Sequence, residues 1–184
     1  MARQPSSFFS GTTDERFYNS MLGSGHSWIP SNTSVGHYVT LDLGEIYIVS
    51  GFATKGREGN TQHVTKYKIS YSTNNTDFTF IKDSDGNDVE FTGNDSSQYQ
   101  PTSDGTSYWT LASSYLSDTI SARYVRFYPI EHYGHPSLRC GVYVKTPKTF
   151  EIYDPPASKR THSASYLGRP CLLYTSPSPR DFTE

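Results

Sequence analysis

Three runs of alternating side chains dominate the middle of the chain. Val39, Leu41 and Leu43 fall on one face of an extended segment, and Tyr38, Thr40 and Asp42 on the other. That is the two-residue period of a strand with one buried face. Gly44-Glu45 interrupts the run, and a second apolar run follows over residues 46–53. A polar stretch carrying Gly56 and Gly59 separates it from a third run. There Thr65, Tyr67, Ile69 and Tyr71 face one way, and Lys66, Lys68 and Ser70 the other. Three strands within residues 38–73, with no helical segment between them, predict antiparallel pairing. A parallel crossover needs about a dozen residues or more.

The same period returns downstream. Asn74-Asn75-Thr76-Asp77 is a turn signal, Phe78 and Phe80 alternate after it, and residues 83–88, DSDGND, form a second turn. Val89 and Phe91 lead to Gly93-Asn94, and residues 94–114 read as a polar loop. Val125 and Phe127 then alternate with Arg126 and Tyr128 in a strand over residues 120–130. Residues 136–144 read as a last strand with Leu138, Cys140 and Val142 inward. Residues 147–153 extend it or begin a linker, and Pro155-Pro156 is expected to end the ordered part. The expected fold is an all-β, antiparallel β-sandwich packed through Leu41, Leu43, Ile69, Tyr71, Val125 and Phe127.

Several short motifs sit on this pattern. Trp28-Ile29-Pro30 precedes the first run, which enters Asp42-Leu43-Gly44. Val49-Ser50-Gly51, Gly56-Arg57 and the segment VTKYKISYS over residues 64–72 follow. Ala122-Arg123-Tyr124-Val125-Arg126 comes later. Together, at these spacings, they resemble the discoidin domain, also called the factor V/VIII type C domain, of the galactose-binding-like class. The resemblance implies a jelly-roll sandwich over residues 5–153, lacking the family's usual opening strand and cysteine. Against that pattern, residues 94–114 are an insertion. Two departures stand out. Tyr143 is followed by Val144-Lys145 where the family often has the second cysteine of its disulfide, and Gly141 stands where calcium-binding relatives carry Glu. Neither the staple nor that metal is expected. Cys140 is read as a buried, inert thiol with no bridge to Cys171.

Composition narrows the picture. The 184 residues suit one domain, and 15 Tyr and 10 Phe suit a sandwich with one wet face. A net charge of −2 gives no basic stripe for nucleic acid. Residues 171–181, CLLYTSPSPRD, resemble one reading frame of a sequencing-library adapter. Residues 154–184 are therefore expected to be a disordered tail, with 171–181 adapter-derived. The chain is expected to be a fragment whose secretion signal lies upstream. Three sequons, at Asn32, Asn74 and Asn94, fall in predicted loops as possible glycosylation sites and suit an extracellular or cell-surface location.

No nucleophile elbow, phosphate loop or zinc-protease motif occurs in the sequence. The chain is expected to be non-catalytic and to need no cofactor. The DSDGND turn lacks the acidic twelfth position of a calcium loop, and His132 and His135 lack a clustered third ligand, so no metal is expected. The resemblance implies a binding surface of three loops at one end, over residues 8–14, 21–28 and 55–63. Candidate ligand residues are Phe8 and Phe9 in the first, His26 and Trp28 in the second, and Arg57, Asn60, Gln62 and His63 in the third. Trp28 also reads as a packing residue. The third loop is wholly polar, which favours sugar hydroxyls over lipid. The implied function is adhesion through a cell-surface carbohydrate or glycoprotein. The alternatives are peripheral binding of anionic phospholipid such as phosphatidylserine, or a targeting module of a larger secreted enzyme.

Overall fold

The computed structural model describes residue 7 and residues 19–145 and 150–162. Among these, ten strands follow in order. They are β1 (Val39–Lys55), β2 (His63–Ser72), β3 (Thr79–Phe80), β4 (Glu90–Thr92), β5 (Tyr99–Pro101), β6 (Ser107–Trp109), β7 (Ala112–Tyr133), β8 (Arg139–Lys145), β9 (Phe150–Tyr153) and β10 (Arg160–His162). The other regular elements described are single 3-10 turns at Ser96–Gln98 and Ala157–Lys159. Every strand pairing is antiparallel. The hydrogen-bonded order is β3-β2-β7-β1-β8-β9, with β4 on β2 and β10 on β1. β5 and β6 form a separate hairpin.

Two long strands, β1 and β7, build both layers. The first part of β1, Val39 to Asp42, pairs with Tyr124 to Phe127 of β7, and the same stretch of β7 pairs with β2. Beyond the bend, β1 pairs with the start of β7 and with β8. The register shifts between Asp42 and Tyr47, where the strand turns from one layer to the other. Gly44 sits there at φ +91°, a left-handed conformation that favours glycine. Asp42 Oδ1 accepts the Gly44 N–H at 2.8 Å and the Arg123 Nε–H at 3.0 Å. The break expected at Gly44-Glu45 is therefore a bulge within one 17-residue strand. Ile46 and Ile48 at the bend are exposed.

The core lies between the two layers. Phe52 meets Phe127 and Phe91 edge-on, at 5.8 and 5.1 Å between ring centres. Leu41, Leu43, Ile69, Val125 and Phe127 are buried as the alternation predicts, and Tyr71 packs half-buried at the margin. Each such aliphatic or aromatic side chain contributes about 1.5–3 kcal/mol on burial. Leu138, Cys140 and Val142 of β8 also point inward, and Cys140 is a free thiol. Burial pushes its pKa up to about 12, with Arg160 opposing.

The C-terminal boundary needs correcting. Expected to stop at Tyr153, the ordered fold runs to His162. Strand β10 pairs with Val39, Thr40 and Leu41 of β1. Arg160 is buried and forms an ion pair with Asp154. Its guanidinium donates to the carbonyls of Pro155, Ser20 and Cys140 at 2.7, 2.7 and 2.9 Å. Pro155-Pro156 is a corner that returns the chain onto the sheet. Residues 163–184, including the adapter-like 171–181 and Cys171, lie outside the described residues.

Candidate functional site

Both ends of β7 arrive at one end of the sandwich. Ala112 pairs with Thr54 at the end of β1, and Tyr133 pairs with His63 at the start of β2. The part of the third loop between the two strands, residues 56–62, spans the gap between them. The second loop and the β5–β6 hairpin close over it.

The third loop is held from within. The Arg57 N–H donates to the Gln62 carbonyl at 2.9 Å, and Arg57 Nη1 donates to Gln62 Oε1 at 2.9 Å. Asn60 Oδ1 accepts the Gln62 N–H at 3.0 Å. His63 is buried between Trp109 and Tyr133, with ring centres 4.7 and 5.7 Å away, and its Nδ1–H donates to the Thr61 carbonyl at 2.7 Å. The four candidate donors of this loop therefore shape its backbone.

Trp109 locks the loop to the hairpin. It is buried, and its Nε1–H is shared between the carbonyls of Arg57 and Asn60 at 2.9 and 3.0 Å. Gly56 lies against the indole face, where a Cβ would come within 2.5 Å of the ring. The hairpin has its own local logic. Asp95 and Gln98 cap the turn ahead of β5 reciprocally. Asp104 Oδ1 accepts from Thr102 Oγ1, Thr106 Oγ1 and the Thr106 N–H at 2.5, 2.7 and 3.0 Å. Those bonds hold its carboxyl down at about 2.

Arg139, buried on β8, ties the second loop to the third. It donates to the Ser24 carbonyl at 2.7 Å, to the Gly56 carbonyl at 2.9 Å and to Glu58 Oε2 at 2.6 Å. Burial lowers its pKa and Glu58 counters that. Between these walls lies an open cleft of about 540 Å³. Gly25, Glu58, Gly59 and the hairpin tip from Gly105 to Tyr108 line it. Tyr108 and Tyr133 are exposed rings at this end.

The remaining candidates fall as follows. His26 is exposed beside the cleft residue Gly25. Trp28 is wholly buried, bridged to Leu138 and donating from Nε1 to the Ser7 carbonyl at 3.4 Å. It packs under the loops and offers no stacking face. Phe8 and Phe9 lie outside the described residues. Asn32 and Asn74 are exposed. Asn94 is only 2% exposed, and its amide donates to Gln98 Oε1 and the Thr110 carbonyl at 3.0 and 3.2 Å. In the folded protein that amide is inaccessible for glycosylation. His132 and His135 join no cluster of three metal-ligating side chains among the described residues.

Trp109, Tyr108 and Arg139 were not among the candidates. A signal for the first two is present: Asp104-Gly105 between Tyr99 and Tyr108-Trp109 has the form of a hairpin turn between aromatic strands. Arg139 carries no local signal, because its partners are 81 or more residues away in sequence.

The bent two-layer sandwich with its loops gathered at one end defines a discoidin-type domain. The chain belongs to the F5/8 type C domain family, whose family model matches residues 4–142. It is 28% identical to mouse lactadherin over 116 residues, covering 62% of this chain and 23% of lactadherin. It is 30% identical to human retinoschisin over 133 residues, covering 72% of this chain and 54% of retinoschisin. Among solved structures it resembles discoidin II from Dictyostelium discoideum. That match has a TM-score of 0.54 and 20% identity, and covers 79% of this chain and 49% of that one. The chain thus spans about a quarter of lactadherin and about half of retinoschisin and discoidin II.

Proposed function

We propose that this domain is a non-catalytic extracellular recognition and adhesion module that binds a cell-surface glycan or glycoprotein through its loop-bearing end. The observation that carries this is the cleft between the third loop and the hairpin. Its walls are hydrogen-bonding groups and an aromatic ring, held in place before any ligand arrives. A few fixed polar groups beside an aromatic ring can orient a ligand on an open surface. Preorganised walls reduce the ordering cost of binding. The third loop, residues 55–63, has no apolar side chain to bury in a bilayer.

The test compares wild type and Arg57→Ala on glycan-coated beads and on phosphatidylserine liposomes. Wild type is expected to bind the beads, and Arg57→Ala to lose most of that binding while its melting temperature stays within a few degrees. Binding to liposomes alone would replace the glycan reading with the membrane one.

A further inference from the structure

One layer of the sandwich is built from the start of β1, the later part of β7, β2 and β3. On its face turned away from the core, Thr40, Arg126, Ser70 and Phe80 stand side by side across the four strands. Thr40 and Ser70 are buried although they face outward. Aromatic rings flank them. Tyr128 lies between Tyr38 and Phe80, with ring centres 5.1 and 5.2 Å away, and Phe78 lies against Arg126. We propose that Arg126, held among these rings, is a binding site for a carboxylate that carries an apolar group beside it. The site stands apart from the cleft, because Ser70 lies toward the far end of β2 from His63. It does not rest on the glycan reading.

Three features carry it. First, the guanidinium is fixed before any ligand arrives. Its central carbon lies 3.4 Å from the centre of the Phe78 ring and 4.5 Å from that of Tyr38, and its Nε–H donates to Thr40 Oγ1 at 3.2 Å. Stacking on rings leaves the edge of the guanidinium plane, with its parallel N–H donors, open to an acceptor. Second, that edge is unused. Among the described residues, neither Nη of Arg126 has an acceptor, and both reach solvent. Arg123 on the same strand is the contrast, since Asp42 takes its Nε and Nη2 at 3.0 and 3.4 Å.

Third, the surroundings leave one positive charge unmatched. Lys68 and Lys82 on this layer are met by Asp88 and Glu90. Asp77, next to Phe78, accepts from Asn74 and Thr76 at 2.7 and 3.4 Å. Arg126 has no such partner among the described residues. One planar cation with two outward nitrogens matches the two oxygens and single charge of a carboxylate. The Phe78, Phe80 and Tyr38 rings match an apolar group next to it. A free organic acid and an acidic side chain of a protein share this chemistry.

The experiment follows the arginine Nε–H signals of the full chain by nitrogen-15 NMR at constant ionic strength. The probes are 3-phenylpropionate, its neutral amide, inorganic phosphate and the blocked dipeptide acetyl-Glu-Phe-amide. The Arg126 signal is expected to shift saturably with 3-phenylpropionate or the dipeptide, and the tighter of the two names the source of the carboxylate. Phosphate and the amide are expected to bind about tenfold more weakly or not at all, and the Arg123 signal to stay in place. Arg126→Lys keeps the charge but loses the fork. It is expected to lose about tenfold in carboxylate affinity, read from the Thr40 and Phe80 amides, with its melting temperature within a few degrees. If neither carboxylate moves the wild-type Arg126 signal, the site is wrong. It is equally wrong if phosphate or the amide binds as tightly, or if Arg126→Lys binds as well as wild type.

Discussion

Single atoms decide the shape of the loop-bearing end. Gly56 is one such position, because the space for its Cβ is filled by the Trp109 indole. Gly56→Ala should push the indole away and cost about 1–3 kcal/mol of stability, the usual range for overpacking. Tryptophan fluorescence should shift to the red as Trp109 gains solvent. An unshifted spectrum with full stability would show that the loop and hairpin are not locked together. His135 is a second. Burial lowers its pKa to about 4, and the nearby positive charges of His132, Arg57 and His37 add to that. The unfolded chain takes up a proton near the ordinary value of 6.5, before the folded one does. The stability from neutral His135 is therefore complete above pH 6.5 and lost as pH falls toward 4. With about half the ring solvated, the loss should be about 1–2 kcal/mol. His135→Asn should flatten the decline in melting temperature over that window. Identical slopes for variant and wild type would remove His135 from the account of acid sensitivity.

At the scale of elements, the strand pattern was legible and its ends were not. Alternation at Val39, Leu41 and Leu43 and at Val125 and Phe127 is a local property, so it reads directly. That β1 runs on through Gly44 was hidden, because a bulge and a strand break have the same local composition. The hairpin reads as a loop for another reason, despite its Asp104-Gly105 turn signal. Residues 94–114 have few aliphatics, and Trp109 finds its apolar environment from the third loop, His63 and Tyr99. β10 was missed because Pro155-Pro156 reads as a stop, while the contacts that hold Arg160 come from Ser20 and Cys140, far off in sequence. Those contacts give a direct test. Truncation after Pro156 should lower the melting temperature by several degrees, and truncation after His162 removes none of these bonds. Arg160→Ala alone should cost about 3 kcal/mol, since its carbonyl partners and Asp154 lose their donor. Equal melting temperatures for the two truncations would show that β10 contributes nothing.

For the whole molecule, the sequence names candidate loops but not the contacts their side chains make. Arg139 bonds the second and third loops to one another, while the first loop lies outside the described residues. Yet Arg57, Asn60, Gln62 and His63 turn inward to stabilise the third loop, and Trp28 packs beneath it. Hydrogen-bonding capacity is visible in a sequence, while its direction depends on turn geometry and distant partners such as Trp109 and Arg139. In the proposed division of labour the sandwich fixes the end, Arg139 and Trp109 fix the loops, and the cleft between them is the proposed ligand site. Nitrogen-15 amide shift mapping, with soluble glycans titrated in turn to saturation, tests this most directly. Shifts should concentrate in residues 24–26, 57–60 and 104–109, and spare the opposite end at residues 44–48 and 74–77. Shifts centred away from the cleft, or none with any sugar, would contradict recognition at the loop-bearing end.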